Sequence, residues 1–532
     1  MTEQGLGALI SGLKDRGVRN IFGIPGGDCA LDIIDASEKA GIRYVLCRTE
    51  NAGGISAAVT AEITGGLGVI MTTRGPGLTS AVNGMAYAHL DRAALLLIAD
   101  HFDPDMDFSS HQRIDQTAIL QPLLRGAGRL DGAGFQPDLP VLLDQAFGQP
   151  NGPIYLEVTT KGMTAPVRDV SASTPRAPAR PEGAAIDAAR KRLADARRPV
   201  IIVGSQSCDD ASTRALRSLA EAWNVPVYTT YRAKGVMADS HPLTMGHYIG
   251  GVAEEAALRE ADLMVMIGFD AVEFPPSRWR YDVPVIEVAR YVVDRRVVEP
   301  EVSLIGDIAA SLDELSGATV SADWDPDALA ATKRQLLAAG DSSGEGPISP
   351  QMVVDAARRA APSDARIALD AGAHMLPVLH HWVCDEPRQT LLSRGLATMG
   401  FAVPAALGSC LVDPSRRAIA FTGDGGLMMC AGELATAAQH GCRPVTVVFN
   451  DSSLTLISAK QERRQFASNG VDFSPSNFAK VAEGYGCAGF RVEAPEELDG
   501  AFEAAFASDR PAVVDIVVNP HGYRKQLLSL RG

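Results

Sequence analysis

The sequence predicts an α/β protein that consists of three doubly wound domains, each built on a parallel sheet. Short, continuously apolar runs alternate with helical segments, two linker-like stretches interrupt this alternation, and 532 residues are too many for one hydrophobic core. Apolar runs without polar alternation are typical of strands buried on both faces, as in parallel sheets covered by helices. Ligands of such folds bind at the carboxyl ends of the strands, so the loops after these runs are the candidate sites.

The apolar runs fall into three blocks, and each block supplies the strands of one predicted domain. The predicted strands are Val69–Met71 and Leu95–Ile98 in the first block, Val200–Val203 and Leu263–Ile267 in the second, and Ile367–Leu369, Ala418–Phe421, Val445–Phe449 and Val513–Val518 in the third. Residues 165–182 and 340–350 are rich in proline, serine or glycine and lack an apolar period, which indicates linkers. We therefore predict domains at residues 1–165, 183–335 and 350–532.

The composition disfavours several classes of function. With 46% hydrophobic and 21% charged residues the chain is ordinary for a globular protein, and its net charge of −15 disfavours partners such as nucleic acid or an anionic membrane. Eight cysteines without a C-x-x-C spacing are typical of thiols in a reducing compartment. The sequence shows neither a signal-peptide pattern nor an apolar run of about 18 residues, so we expect a cytoplasmic protein without a membrane partner.

Oxygen ligands follow two strands of the third block. Ala418–Phe421 runs into Thr422-Gly423-Asp424-Gly425-Gly426, and Val445–Phe449 runs into Asn450-Asp451. If both strands lie in one parallel sheet, these loops meet at the same edge, where the glycines let backbone N–H groups approach a phosphate closely. Magnesium commonly takes carboxylates together with substrate phosphates. The pattern predicts a metal–diphosphate site.

The stretch from Gly423 to Asp451 resembles the signature of thiamine-diphosphate-dependent enzymes, which begins Gly-Asp-Gly and ends in Asn-Asn or Asn-Asp. The resemblance implies that Asp424, Asp451 and the carbonyl of Ser453 bind Mg²⁺. Asp451 replaces the more frequent asparagine, which keeps an oxygen donor and adds a negative charge. The cofactor contacts implied in this segment are Gly423, Asp424, Gly425, Gly426, Asp451 and Leu454. Asn450 is left outside the metal's ligand set, because an ordinary turn role explains it equally well.

Two upstream segments resemble further cofactor contacts. In Asp370-Ala371-Gly372-Ala373-His374, the resemblance implies that Gly372, Ala373 and His374 meet the diphosphate, although a packed or capping histidine is the alternative. Ser393–Gly400 resembles the acetolactate synthase segment that holds the aminopyrimidine ring. There, Met399 would wedge between the two cofactor rings and the carbonyl of Ala397 would accept a hydrogen bond from the exocyclic amine. Ordinary core packing is the alternative for Met399.

Glu50 is the candidate catalytic residue of the first block. Thiamine chemistry requires a carboxylic acid that is hydrogen-bonded to the aminopyrimidine ring, and desolvation favours its protonated form. Glu50 follows the turn Gly23–Gly27 and precedes the loop Gly75-Pro76-Gly77, which is the order of landmarks in the family. Thr49 stands where relatives more often carry histidine. The resemblance also implies a homodimer or homotetramer, with active sites between the glutamate-bearing domain of one subunit and the metal-bearing domain of another.

Within the family, the chain is most similar to acetolactate synthases and their relatives, and the resemblance covers nearly its whole length. Gly27 stands where simple pyruvate decarboxylases carry aspartate, which leaves space for a second carbonyl substrate. Gln112, after His111, occupies a position that implies a substrate contact, and Lys460 stands where biosynthetic synthases carry tryptophan. The segment Gly268–Glu273 lacks the arginine-flanked pattern associated with FAD, so we predict no flavin.

The sequence therefore predicts a thiamine-diphosphate- and Mg²⁺-dependent enzyme that decarboxylates a 2-keto acid and ligates the fragment to a second carbonyl. A simple 2-keto acid decarboxylase, or another thiamine-diphosphate-dependent C–C lyase, is the alternative within the family. A cofactor-binding regulatory subunit without activity is the alternative from another class. Intact Glu50, Asp424 and Asp451 argue against that last alternative.

Overall fold

The computed structural model describes residues 3–167, 179–248, 250–251, 254–274, 278–293 and 295–531. Most of the linker predicted at residues 165–182 lies outside these described residues. The linker predicted at 340–350 connects two helices, and no strand or helix lies between residues 340 and 349.

The N-terminal segment forms a seven-stranded sheet. The whole segment contains nine strands, of which β2 to β8 form this sheet. They are β1 (Glu3–Gln4), β2 (Asn20–Ile24), β3 (Arg43–Leu46), β4 (Gly68–Thr72), β5 (Leu95–Asp100), β6 (Gly126–Asp131), β7 (Gly134–Gln136), β8 (Pro153–Val158) and β9 (Pro166–Val167). Its helices are α1 (Gly5–Asp15), α2 (Cys29–Lys39), α3 (Glu50–Thr64), α4 (Pro76–Leu90), α5 (Gln116–Leu120), α6 (Leu139–Gln145) and α7 (Thr160–Thr164). The sheet order is β3-β2-β4-β5-β8-β6-β7, while β1 and β9 form a separate antiparallel pair.

This sheet departs from the predicted parallel pattern at one edge. β7 pairs antiparallel with β6, whereas the other neighbours are parallel. The two strands are joined by residues 132–133, and a connection this short permits only a hairpin. The order reverses between β2 and β4, so the loops after these two strands flank a cleft at the switch point.

The central segment forms a six-stranded sheet that is parallel throughout. Its strands are β10 (Pro199–Val203), β11 (Val227–Thr229), β12 (Thr244–His247), β13 (Leu263–Ile267), β14 (Val285–Ala289) and β15 (Val302–Ile305), in the order β12-β11-β10-β13-β14-β15. Its helices are α8 (Gly183–Asp195), α9 (Asp210–Trp223), α10 (Glu255–Glu260), α11 (Ile308–Leu315) and α12 (Pro326–Ala339).

The C-terminal segment forms a second six-stranded parallel sheet. Its strands are β16 (Arg366–Leu369), β17 (Thr390–Leu392), β18 (Ala418–Gly423), β19 (Val445–Asn450), β20 (Ala488–Val492) and β21 (Ala512–Val517), in the order β17-β16-β18-β19-β21-β20. Its helices are α13 (Pro350–Ala360), α14 (Met375–His381), α15 (Ala402–Val412), α16 (Asp424–Cys430), α17 (Glu433–Gln439), α18 (Thr455–Arg463), α19 (Phe478–Gly484), α20 (Leu498–Ala507) and α21 (His521–Arg531). The order reverses between β16 and β18, which places the switch point beside the predicted metal–diphosphate loop.

The predicted fold class is confirmed, since three parallel α/β sheets follow one another along the chain. The domain limits 1–165, 183–335 and 350–532 remain our proposal for where each unit begins and ends. All eight cysteines are free thiols, and six of them are buried. Among the described helices, none combines the length and the apolar character that a membrane crossing requires.

The N- and C-terminal domains share one hydrophobic core. Buried side chains of α3 and α4 belong to the same cluster as those of α15 and α17. Helix α15 approaches α3 closely because residue 408 is glycine: a Cβ there would lie 2.6 Å from the carbonyl oxygen of Ser56. Ser56 in turn donates a hydrogen bond from Oγ to the carbonyl of Pro404 at 2.8 Å. This packing sets the position of the glutamate-bearing helix relative to the C-terminal sheet.

Candidate active site

Two carboxylates, the buried Asp424 and the half-buried Asp451, lie at the carboxyl ends of the neighbouring strands β18 and β19. Asp424 accepts the N–H of Gly425 at 2.7 Å and, with its other oxygen, the N–H of Ser452 at 2.6 Å. Asp451 accepts the N–H of Ser453 at 3.2 Å and the hydroxyl of Thr455. The predicted pair is thus brought together, because parallel neighbours end at the same edge of the sheet.

The electrostatics of this pair fit a cation. Burial and, to a smaller extent, the nearby Asp424 carboxylate raise the pKa of Asp451 to about 7, against the opposing hydrogen bond from Thr455. Burial also raises the pKa of Asp424. Two carboxylates that disfavour each other's ionisation are relieved by a divalent ion between them.

The protein supplies few further charged ligands here. The described residues contain no cluster of three or more His, Cys, Asp or Glu side chains that could hold a metal on their own. An ion at Asp424 and Asp451 would therefore need backbone, water or ligand oxygens, as Mg²⁺ commonly takes. Ser452 adopts a left-handed conformation with φ 59°, which turns the chain directly before Ser453. The role of the Ser453 carbonyl remains a prediction.

His374 presents an unpartnered nitrogen beside these carboxylates. Its ring is 5% exposed and stacks on Phe449 with centroids 5.5 Å apart, and its buried Nε2 has no hydrogen-bond partner. Burial lowers its pKa to about 4, so the imidazole is neutral at physiological pH. A buried polar nitrogen without a partner is costly unless a ligand satisfies it. This orphaned atom fits an anionic group of a cofactor at the site.

At most of the glycines of the predicted cradle, a side chain would crowd neighbouring atoms. A Cβ on Gly372 would lie 2.6 Å from Cε1 of His374, and a Cβ on Gly425 would lie 2.8 Å from Cδ2 of Leu454. At Gly426 it would lie 2.4 Å from Oδ2 of Asp370. Gly423 is less crowded, with the His374 ring 3.4 Å away. The cradle therefore consists of bare backbone close to the two carboxylates.

Asp370 organises this cradle, although the sequence analysis gave it no role. It is fully buried, accepts the hydroxyl of Thr422 at 2.7 Å and accepts the N–H of Phe401 at 3.0 Å. Burial raises its pKa to about 6. Asp370 thus joins the ends of β16 and β18 to the segment that carries Ala397 and Met399. The only sequence signal was its place directly after a predicted strand.

The segment 393–400 is held by contacts from the N-terminal domain. The N–H groups of Arg394 and Gly395 donate to Asp91 at 2.9 and 3.1 Å, and Asn83 donates to the hydroxyl of Thr398 at 3.0 Å. Asn83 also donates to Asn51, the neighbour of Glu50, at 2.8 Å. Two domains therefore set the shape of this segment.

Two residues of the segment were predicted to contact the cofactor. Ala397 adopts φ 54°, a strained conformation for a residue with a Cβ, which is characteristic of functional loops. It is exposed, and Met399 is half-buried. A partly open Met399 contrasts with the fully buried core, which disfavours the alternative of ordinary packing.

Glu50 is the first residue of α3, and its carboxylate faces the Gly-Pro-Gly loop. A Cβ on Gly77 would lie 3.2 Å from Oε1 of Glu50, so a side chain at residue 77 would crowd the carboxylate. Thr49 is the N-cap of this helix and accepts the N–H of Ala52 at 3.1 Å. The threonine that departs from the family pattern is thus a good capping residue for α3.

The loops at the switch point of the N-terminal sheet surround an open position at Gly27. Gly27 is exposed, and no atom lies within 4 Å of a Cβ built there. Gln112 lies against Gly75: a Cβ on this glycine would meet both the Cβ and the carbonyl oxygen of Gln112 at 3.0 Å. Asp28, which directly follows Gly27, is paired with Arg74. Asp28 was not among the predicted site residues.

No direct hydrogen bond links the Glu50 side chain to Asp424, Asp451 or the segment 393–400 among the residues that the structure describes. His111 and Lys460 are exposed.

A buried glutamate of the central domain, Glu273, binds the first turn after β10. The N–H of Ser205, in the first turn after β10, donates to Oε1 of Glu273 at 2.9 Å, and the hydroxyl of Thr230 donates to Oε2. The N–H of Gln206 donates to the carbonyl of Gly268 at 3.0 Å. Glu273 thus holds the loops that follow β10 and β11 together.

Family models match all three sheets. The N-terminal TPP binding domain of thiamine pyrophosphate enzymes matches residues 4–119, the central domain matches 186–315, and the C-terminal TPP binding domain matches 370–516. The chain is 30% identical to the acetolactate synthase of Mycobacterium bovis over 97% of this chain and 88% of the relative. It is 28% identical to the catabolic acetolactate synthase of Raoultella terrigena, over 97% and 95%, and 26% identical to the acetolactate synthase of Bacillus subtilis, over 97% and 93%.

Proposed function

We propose that this chain, which belongs to the thiamine pyrophosphate enzymes and is an acetolactate synthase-like enzyme, decarboxylates a 2-keto acid and ligates the fragment to a second carbonyl compound. The observation that carries the proposal is the constellation at the C-terminal switch point. Asp424 and Asp451 face each other beside the unpartnered Nε2 of His374. A metal-bound diphosphate satisfies all three groups.

In this proposal Mg²⁺ is held by Asp424, Asp451 and the carbonyl of Ser453. The bare backbone of Gly423, Gly425 and Gly426, together with Gly372, Ala373 and His374, binds the diphosphate. Ala397, Met399 and Leu454 hold the rest of the cofactor. Thiamine diphosphate, when bound, supplies the electron sink for cleavage and formation of the carbon–carbon bond.

Glu50 would form a hydrogen bond from its carboxyl group to the aminopyrimidine ring of the bound cofactor. The start of α3 fixes this side chain beside Gly77, on the open side of the switch point. Gln112 orients the substrate from the neighbouring loop.

Membership of the family supports an oligomer, and no hydrogen bond of the described residues joins Glu50 to Asp424 or Asp451 within one chain. A second copy of the chain would complete each site by placing its metal-binding edge against the Glu50 edge of the first. Exposed Met428 and Met429, at the end of the metal-binding helix α16, give that edge an apolar surface to cover. We propose a homodimer, or a homotetramer built from such dimers.

Turnover of a panel of 2-keto acids tests the function. Purified protein with thiamine diphosphate and Mg²⁺ is incubated with single keto acids and with pairs, and the products are identified by mass spectrometry. Carbon dioxide and a hydroxyketone or acetohydroxy acid are the expected products. Absence of cofactor-dependent turnover across the panel would refute the proposal.

Ligation products are expected to exceed free aldehyde. The aspartate that simple decarboxylases carry is replaced by Gly27, so the decarboxylated fragment loses its nearest proton donor, and a bound acceptor carbonyl competes better than water. A Gly27→Asp variant should raise the share of aldehyde, because nothing within 4 Å obstructs the new side chain. Product ratios measure this effect.

Gly27→Ala is the matched control, since it adds a Cβ without a carboxyl group and should keep the wild-type product ratio.

Lys460→Ala should weaken the binding of anionic acceptors more than that of neutral ones. Mainly free aldehyde from the wild type would favour the alternative of a simple 2-keto acid decarboxylase.

The purified protein is expected to lack flavin. The central segment Gly268–Glu273 lacks the arginine-flanked pattern associated with FAD. We expect no absorption band near 450 nm in the visible spectrum, where oxidised flavins absorb, and no stimulation by added FAD. A yellow protein with stoichiometric FAD would contradict this prediction.

A further inference from the structure

A buried glutamate of the C-terminal domain holds the peptide groups that directly precede Glu50. Oε1 of Glu433 accepts the N–H of Arg48 at 2.9 Å and the N–H of Thr49 at 3.1 Å, across 385 and 384 residues of sequence. Its other oxygen accepts the hydroxyl of Thr436 at 2.8 Å. All three bonds converge on one carboxylate that is 1% exposed.

We propose that Glu433 is a positioning residue for Glu50, acting through the start of α3. The inference rests on the proposed function, because it assigns Glu433 a role in the reaction of the same site. Glu433 itself touches neither Glu50 nor the carboxylate pair in the described residues. Its effect on turnover is therefore indirect.

The geometry makes the start of α3 dependent on this contact. Thr49 caps the helix with its side chain, while its own N–H is bound by Glu433. The first residue after the cap is Glu50, so the direction of the Glu50 side chain follows the orientation of the Thr49 peptide. A carboxylate near the positive end of a 15-residue helix is also favourable.

Burial explains why this contact is rigid. Glu433 is enclosed, and its carboxylate would be costly without the donors that surround it. Thr436 fixes the second oxygen from one turn along α17, so the side chain has little freedom to turn away. The preceding residue is Gly432, which permits a close approach of the two segments: a Cβ built on this glycine would lie 3.0 Å from the Cβ of Arg48.

The contact also links Glu50, within one chain, to the segment that carries Asp424. Helix α17 follows directly on α16, whose first residue is Asp424. One short stretch of the C-terminal domain thus carries a metal ligand at its beginning and the support of the catalytic glutamate nine residues later. Deleting the carboxylate should loosen the start of α3 and leave Asp424 and Asp451 unchanged.

Glu433→Ala, Glu433→Gln and Gln439→Ala test the proposal in the complete protein. Glu433→Ala should lower kcat about 100-fold, which is the size of effect that a 1 Å misplacement produces. Glu433→Gln should remain within about fivefold of wild type, because its amide oxygen accepts both N–H groups and its NH₂ donates to Thr436. Gln439→Ala removes only an exposed hydrogen bond from Arg48 to the same helix and should change nothing.

Two further measurements separate positioning from general stability. The affinity of each variant for thiamine diphosphate in the presence of Mg²⁺, measured by fluorescence, should match wild type. Amide hydrogen exchange of residues 46–56, measured by mass spectrometry without cofactor, should accelerate in Glu433→Ala and stay slow in Glu433→Gln and Gln439→Ala. If Glu433→Ala does not fold, Thr436→Val takes its place, and a smaller change in the same direction is expected.

Three results for Glu433→Ala would each overturn the inference: a kcat equal to that of the wild type, unchanged amide exchange in residues 46–56, or a loss of kcat that saturating cofactor restores. The exchange measurement requires no substrate. A wild-type protein without keto acid turnover would therefore refute the proposed function, while exchange would still decide whether Glu433 orders the start of α3.

Discussion

Replacing Glu50 by glutamine is expected to lower kcat by about 1,000-fold, within the range attributed to a general acid or base. The amide keeps the size of the side chain beside Gly77 but cannot supply the carboxyl proton that the aminopyrimidine ring requires. The fold and the affinity for thiamine diphosphate should remain close to wild type, because Glu50 is not a hydrogen-bond partner of the core. Steady-state kinetics, circular dichroism and cofactor titration measure the three quantities.

Glu503→Gln is the matched control, since Glu503 is an exposed glutamate on α20. It should leave kcat unchanged. Thr49→Ala, which removes the cap of α3, should cost about 1 kcal/mol of stability and affect turnover less than Glu50→Gln does. Near-normal turnover by Glu50→Gln on the true substrate would contradict the assignment of Glu50.

Replacing Asp424 by alanine is expected to abolish Mg²⁺-dependent binding of thiamine diphosphate. Asp424 is the carboxylate at the end of β18, and it also fixes the N–H groups of Gly425 and Ser452. Its loss removes a metal ligand and loosens the backbone around the site. Titration of cofactor with and without Mg²⁺ should show that the metal no longer improves the affinity.

Asp451→Asn should be milder, because asparagine is the commoner residue at this position in the family and retains an oxygen donor. It also removes the charge that disfavours ionisation of Asp424. Asp499→Ala provides a surface control, since Asp499 is 62% exposed in its pair with Arg359 and such pairs contribute little. Equal Mg²⁺-dependent affinity of Asp424→Ala and wild type would refute the metal site.

Local pattern was sufficient for much of the fold. Each of the eight predicted apolar strands coincides with a strand of the structure, although Val518 lies one residue beyond β21, because a strand buried on both faces needs a run of apolar residues. The edge hairpin of β6 and β7 was not predicted. Its residues are less apolar and partly exposed, so they lack the signal on which the prediction relied.

The sequence by itself determined which loops carry the candidate site. Asp424 and Asp451 follow strands that are evident from their apolar residues, and two neighbouring parallel strands necessarily end at one edge. Glu50 was identified by the order of glycine-rich landmarks along the chain. Motifs of this kind are readable because their residues are contiguous, and because close approach of backbone to ligand admits only glycine.

Only the tertiary structure decided how those loops are held. Asp370 meets Phe401, Asn83 meets Thr398, and Glu433 meets Arg48 and Thr49. These partners lie between 31 and 385 residues apart, and a buried carboxylate or amide has no local pattern that names its distant partner. The unpartnered Nε2 of His374 and the hydrogen bond from the Ser205 N–H to Glu273 were likewise not predictable from the sequence. Both depend on which polar groups the folded chain brings within hydrogen-bond distance.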